Sequence, residues 1–347
     1  MAGRSSRLLR LGLVRNAHAP THLDTFVVSG VSTVLVTRGY LALTGYPRIG
    51  GRTLHIAHVL PGGLLMLVAL FLLLSYVGPV VRPAAAVLGG IGFGLFIDEV
   101  GKFVTLDNDY FFRPSAAIMY VIFTSVVLAV HTLHRKRPLD PREHLANAVD
   151  HAVEGVAGGL SARRRAEAEG QLRNAGDVPG IAEAGALVAA CSPDAVELPA
   201  PVLAAKQALR RAFTRLAARH AVRVAVVVLL VVQALGALAV AVQGRVEGDG
   251  TSLVGFRGVV TGSIVSALLI AGGLVRLRRD RHAAIRAFQL SVLVSLLVTQ
   301  VFQFADAQFA ALGGLAVDLL LLGLLGAEAE RLRRLAALTT GEAAVGR

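Results

Sequence analysis

The stretch AVRVAVVVLLVVQALGALAVAV, Ala221–Val242, carries a single charge, Arg223, near its start and is otherwise almost wholly apolar. A helix rises about 1.5 Å per residue, so about twenty such residues cross a hydrocarbon core roughly 30 Å thick. Seven more stretches of similar character lie on either side of it: Thr25–Gly45, Leu54–Val77, Pro83–Thr105, Pro114–His134, Leu253–Val275, Ala284–Phe304 and Ala307–Glu328. The expected fold is an all-α integral membrane protein with about eight transmembrane helices. The last two stretches nearly touch, which predicts a tight hairpin between them. The third is the least apolar because it holds Asp98, Glu99 and Lys102.

Composition agrees with that reading. Of 347 residues, 54% are hydrophobic, only 17% are charged and none is Trp, and the mean hydropathy is +0.64. A soluble domain carries about a quarter charged residues. Disordered chains and ordinary soluble enzymes are excluded. A secreted disulfide scaffold is excluded too, because Cys191 is the only cysteine. The first apolar run, Leu8–Val14, is short and broken by Arg10, so no cleaved signal peptide is expected.

The formal charge is +12, and its distribution explains it. With the N-terminus inside, the inner segments are 1–24, 78–82, 135–220, 276–283 and the tail. They hold Arg4, Arg7, Arg10, Arg15, Arg82, Arg135-Lys136-Arg137, Arg276, Arg278, Arg279, Arg281 and Arg331–Arg334, whereas the outer loops hold only Arg48, Arg52, Arg113 and Arg245. That is the positive-inside asymmetry of a multi-pass membrane protein with both termini cytoplasmic. It also removes any need for nucleic acid as a partner. The expected partners are the lipid bilayer and, on a scaffolding reading, a second copy or another membrane protein. The chain divides into a basic N-terminus (1–24), a first four-helix membrane half (25–134), a cytoplasmic helical linker (135–220), a second four-helix half (221–328) and a tail (329–347). Within the linker, PAPVLAAKQALRRAFTRLAARH (199–220) has helical apolar spacing and predicts an amphipathic helix on the inner leaflet or leading into the fifth span.

The two halves read as a degenerate 4+4 repeat. Aligning Asp98 with Thr299 places Glu99 on Gln300, Val100 on Val301, Lys102 on Gln303 and Phe103 on Phe304. Four spans per half is an even number, so the repeat is parallel. The charged set survives only in the first copy.

Ionisable residues inside a span are costly in lipid and face the bundle interior or water. In the first half they gather toward the outer leaflet: Arg38, His55 and His58 (spaced i, i+3), Asp98, Glu99, Lys102, Asp107 and Asp109. Three chemistries fit them. A divalent metal held by His55, His58, Asp98 and Glu99 would suit imidazole and carboxylate ligands and points to a metal-dependent membrane enzyme. A proton, ion or small-solute pathway would have Asp98 or Glu99 titrating against Arg38 or Lys102. On a structural reading, the same groups are ion pairs that hold helices together, such as Asp98 with Lys102 at i, i+4. The turn Gly45–Gly51 would form a lid over the His pair.

The strings GYPRIGG (45–51), LHIAH (54–58), FIDEVGKF (96–103) and DNDYFF (107–112) resemble an uncharacterised family of bacterial integral membrane proteins. The resemblance covers roughly the first 130 residues and implies a bacterial membrane protein. It carries no activity with it.

Overall fold

The computed structural model describes residues 9–44, 58–107, 109–110, 112–135, 138–193, 201–247 and 252–345. The chain is all-helical, with 85% of the described residues in helices and no strand among them. In order the helices are α1 (Ala19–Thr44), α2 (Val59–Ser75), α3 (Val81–Asp98), α4 (Val100–Val104), α5 (Ser115–Arg135), α6 (Pro141–Gly158), α7 (Ala162–Ala175), α8 (Ile181–Ala190), α9 (Pro201–Ala217), α10 (His220–Glu247), α11 (Leu253–Arg276), α12 (Arg281–Val294), α13 (Gln300–Ala307) and α14 (Leu312–Val345). A π-helical turn, Ser295–Thr299, joins α12 to α13, and a 3-10 turn, Gln308–Ala311, joins α13 to α14. The eight apolar stretches of the sequence each coincide with a helical segment. Five runs are long and apolar enough to cross a membrane: Ala19–Thr44, Val81–Asp98, His220–Val246, Leu253–Arg276 and Arg281–Leu335, the last of which folds back at the 3-10 turn. Helices α2 and α5 are apolar but shorter in their apolar part.

The chain forms two compact units. The first contains everything up to Glu99 together with Ile122–Leu203. Its membrane part is built on α3, whose glycines let α1 and α2 approach on opposite sides. A Cβ on Gly94 would lie 2.6 Å from the Gly30 carbonyl of α1, and one on Gly92 would lie 2.6 Å from the Gly62 carbonyl of α2. In lipid, where there is no hydrophobic drive between helices, close backbone approach of this kind is what holds a bundle together. Phe93 adds an aromatic contact on each side, to Phe26 (5.6 Å between centroids) and edge-on to Phe123 of α5 (5.8 Å).

Helices α6 to α8 form a small polar-surfaced module in the same unit. Their boundaries are set locally. Asp140 and Glu143 form a capping box with Pro141 at the first helical position, Ser161 caps α7, and Gly159 and Gly176 follow the helix ends with positive φ. Ala152, Leu160, Ala168, Val188 and Cys191 make the module's core. The segment before α1 is clasped to it. Arg15 Nε donates to Glu143 Oε1 (2.9 Å), and the Asn147 side chain bonds both ways, accepting from Ala17 N (2.8 Å) and donating to the Arg15 carbonyl (2.9 Å).

The second unit contains Val100–Val121 and Ala204 onward. Its core is apolar, with Leu230, Ile270, Phe288, Val292, Leu321 and Leu325 among its members. Tyr120 stacks on Phe304 (4.8 Å) and donates to the Leu296 carbonyl (2.6 Å). The expected amphipathic helix is α9. It is largely exposed, breaks before His220, and docks through Phe213 against Gly323 of α14. Glu328 collects Arg281 (3.1 Å), Arg331 (3.4 Å) and Arg223 (3.6 Å).

Candidate functional site

The polar cluster expected toward the outer leaflet includes two clamps at the end of α3. Asp98 and Glu99 are both fully buried. Arg38 of α1 donates through Nε to Asp98 Oδ1 (2.6 Å) and through Nη2 to the Asp98 carbonyl (2.9 Å), an acceptor that the helix end exposes. Glu99 Oε1 accepts from the backbone N–H of His58 (2.6 Å) and lies 3.0 Å from its Nδ1, at the start of α2. A carboxylate there meets the free N–H groups and positive end of the helix. One acid thus ties α3 to α1 and the other ties it to α2. Lys102 belongs to the second unit, with its ammonium 5.1 Å from the centroid of the Tyr110 ring. Asp107 and Asp109 are exposed. His55 and the Gly45–Gly51 turn lie outside the described residues.

Among the described residues, three side chains that could together hold a metal ion lie elsewhere in the first unit. His18, just before α1, His151 of α6 and Glu167 of α7 bring one ligand atom each to within 4.8 Å of one another. His18 Nε2 and His151 Nε2 are 3.3 Å apart, and Glu167 Oε2 is 3.7 Å from His18 Nε2. With metal–nitrogen bonds of 2.0–2.1 Å, a 3.3 Å separation subtends about 107°, close to tetrahedral. Glu167, about a third exposed, can swing to complete the set.

Burial pushes the His18 imidazolium down despite the opposing Glu167 carboxylate, and pushes His151 down to about 4. Both rings are therefore neutral at physiological pH, the form that binds metal. Glu154 lies 3.9 Å from His151 Nδ1, on the side away from the ligand nitrogen, with its Oε2 held by Arg164.

The group faces a cavity of about 300 Å³ whose walls include Thr21, Thr25 and Ser29 of α1 and Arg82, Arg163 and Arg164. Two of these arginines are held by carboxylates, Arg82 by Asp150 (3.0 Å through Nη2) and Arg164 by Glu154. Arg163 makes no ion pair among the described residues. No sequence motif links His18, His151 and Glu167: they come from three elements, and His18 lies 133 positions before His151.

No protein-family model, curated protein or solved structure matches this chain. Its chemistry must be argued from the site alone.

Proposed function

We propose that this is a multi-pass protein of a bacterial cell membrane, with eight spans and both termini cytoplasmic, that carries a divalent-metal centre at His18, His151 and Glu167. The basic residues of segments 1–24, 135–220 and 276–283 support the topology, and the coincidence of eight apolar stretches with eight helical segments supports the span count. The parallel repeat draws support from where helices break. Helix α3 ends at Asp98–Glu99, and the π turn ends at the aligned Thr299–Gln300.

On this topology the centre sits at the inner end of the first span, between the lipid surface and the α6–α8 module. Two imidazoles and one carboxylate, with a cavity left open beside them, follow the pattern of metal sites that keep a coordination position for water or substrate. The reading is therefore a metal-dependent membrane enzyme whose ligand is anionic, because Arg163 offers an uncommitted guanidinium to the same cavity. The outer cluster takes the structural role, since its acids are engaged at helix ends. The observation that carries the proposal is the 3.3 Å approach of two imidazole nitrogens beside a carboxylate.

Elemental analysis of the purified full-length protein after zinc loading and desalting tests it. One zinc per chain is expected in the wild type and in His58→Ala, and none in His151→Ala or His18→Ala. Retention of the metal by both of the latter, or its loss only in His58→Ala, would overturn the assignment.

A further inference from the structure

Independently of the metal centre, the second unit holds a buried carboxylate with no countercharge among the described residues. Asp318, on α14, is 1% exposed. Its Oδ2 accepts from Ser295 Oγ (2.8 Å) and Gln300 Nε2 (2.9 Å), and Gln233 of α10 also faces the group. All three neighbours are neutral. An isolated carboxylate in an apolar interior must take up a proton or acquire a cation.

Beside it lies a cavity of about 20 Å³, lined among others by Gln233, Ser263, Ser266, Ser295, Thr299 and Asp318, with no Lys, Arg or His in its wall. That volume admits one water-sized particle. Two of the lining hydroxyls, on Ser263 (4% exposed) and Thr299 (3% exposed), are buried with no hydrogen-bond partner. Ser266 Oγ donates to the Ser291 carbonyl and keeps its lone pairs available. The wall is thus rich in oxygen acceptors and holds one negative charge. It is also formed partly by the π turn, a local helix distortion frequent at functional sites.

We propose that this cavity is a binding site for one dehydrated monovalent cation of sodium size, held by the Asp318 carboxylate and the hydroxyls of Ser263, Ser295 and Thr299. Hard cations take oxygen ligands. A single carboxylate neutralises a single positive charge, whereas a divalent ion would leave net charge buried among Leu230, Ile270 and Val292.

The test uses the purified full-length chain in detergent, made sodium-free in choline chloride. Its melting temperature is followed as NaCl, KCl or more choline chloride is added at constant ionic strength, alongside direct binding of radioactive sodium. A saturable rise of several degrees with sodium is expected, with far less for potassium and none for choline. Asp318→Asn should abolish the rise and the binding, and Ser263→Ala combined with Thr299→Val should raise the half-saturating sodium concentration at least tenfold. A response equal in all three salts, or one that persists in Asp318→Asn, would overturn the proposal. So would an Asp318→Asn protein as stable as the wild type with neither responding to sodium, because the carboxyl would then simply be protonated. If Asp318→Asn does not fold, the wild type and the hydroxyl variant decide the question, and absence of sodium binding to the wild type overturns the site.

Discussion

Asp98 and Asp318 are both buried carboxylates on apolar helices, one in each unit, and their surroundings differ in kind. Asp98 meets a guanidinium at 2.6 Å, while Asp318 meets only a hydroxyl and amides. Glu99, next to Asp98, is likewise engaged by a helix N-terminus. In the first unit the charge is cancelled by other parts of the fold, so it acts as a fastener. In the second the fold supplies dipoles but no charge, which leaves a role for something from outside. Burial depth alone therefore does not separate a structural acid from a binding one. What separates them is whether the protein provides the opposite charge.

The comparison can be broken most directly at Asp98. Removing one member of a buried ion pair costs about 3–5 kcal/mol, because the remaining charge loses its compensation. Asp98→Ala should lower the melting temperature sharply or prevent folding, and the double change Arg38→Met with Asp98→Leu should recover most of the loss. Asp318→Asn should cost little in sodium-free detergent, since no cation is stranded. A mild Asp98→Ala, or a ruinous Asp318→Asn, would erase the distinction.

Next in size is the backbone approach that places the Asp98 and Glu99 clamps. Gly92→Leu should destabilise by about 1–3 kcal/mol or more, the scale of overpacking, because its Cβ would meet the Gly62 carbonyl. Gly39→Ala, on the same membrane unit but with nothing within 4 Å, should be neutral or gain about 0.5–1 kcal/mol. Chemical denaturation in mixed micelles would rank the two.

The smallest effect concerns a third acid, Glu143, buried beneath Arg15. Burial alone would raise Glu143, but the Arg15 guanidinium and the backbone N–H groups of Asp140 and Arg15 outweigh it and hold the carboxyl below its ordinary value of 4.5. The unfolded chain then protonates first, so the clasp is fully stabilising above pH 4.5 and weakens as pH falls through the lower folded value. Hydrogen-exchange protection at Ala17 should drop in that acid range and lose its pH dependence in Glu143→Gln.

The sequence made the apolar helices legible because twenty-residue hydrophobic runs have few other outcomes. The Arg38–Asp98 contact was within reach for the same reason: two opposite charges stranded in lipid-length helices seek each other. The histidine–glutamate group was not legible. Its members span 149 positions, from His18 to Glu167, and the segment holding His151 and Glu167 looks like an ordinary solvated linker. The Asp318 site was half legible. Gln233, Thr299, Gln300 and Asp318 stand out as the rare polar residues of the second half, but periodicity at 3.6 residues cannot register a π turn. It is that turn which aims Ser295 and Thr299 at the cavity.

The clasp between Arg15, Ala17 and the 143–147 segment has a consequence for how the chain is made. Its two sides are separated by 128 to 132 residues, and closing a flexible loop of that length costs about 4 kcal/mol. Arg15 is made before Glu143, so the clasp waits until the intervening helices α1 to α5 have formed and shortened the effective loop. The clasp closes late, as a latch on helices already formed, and a chain stalled before residue 143 would lack the partners that hold Arg15 and Ala17.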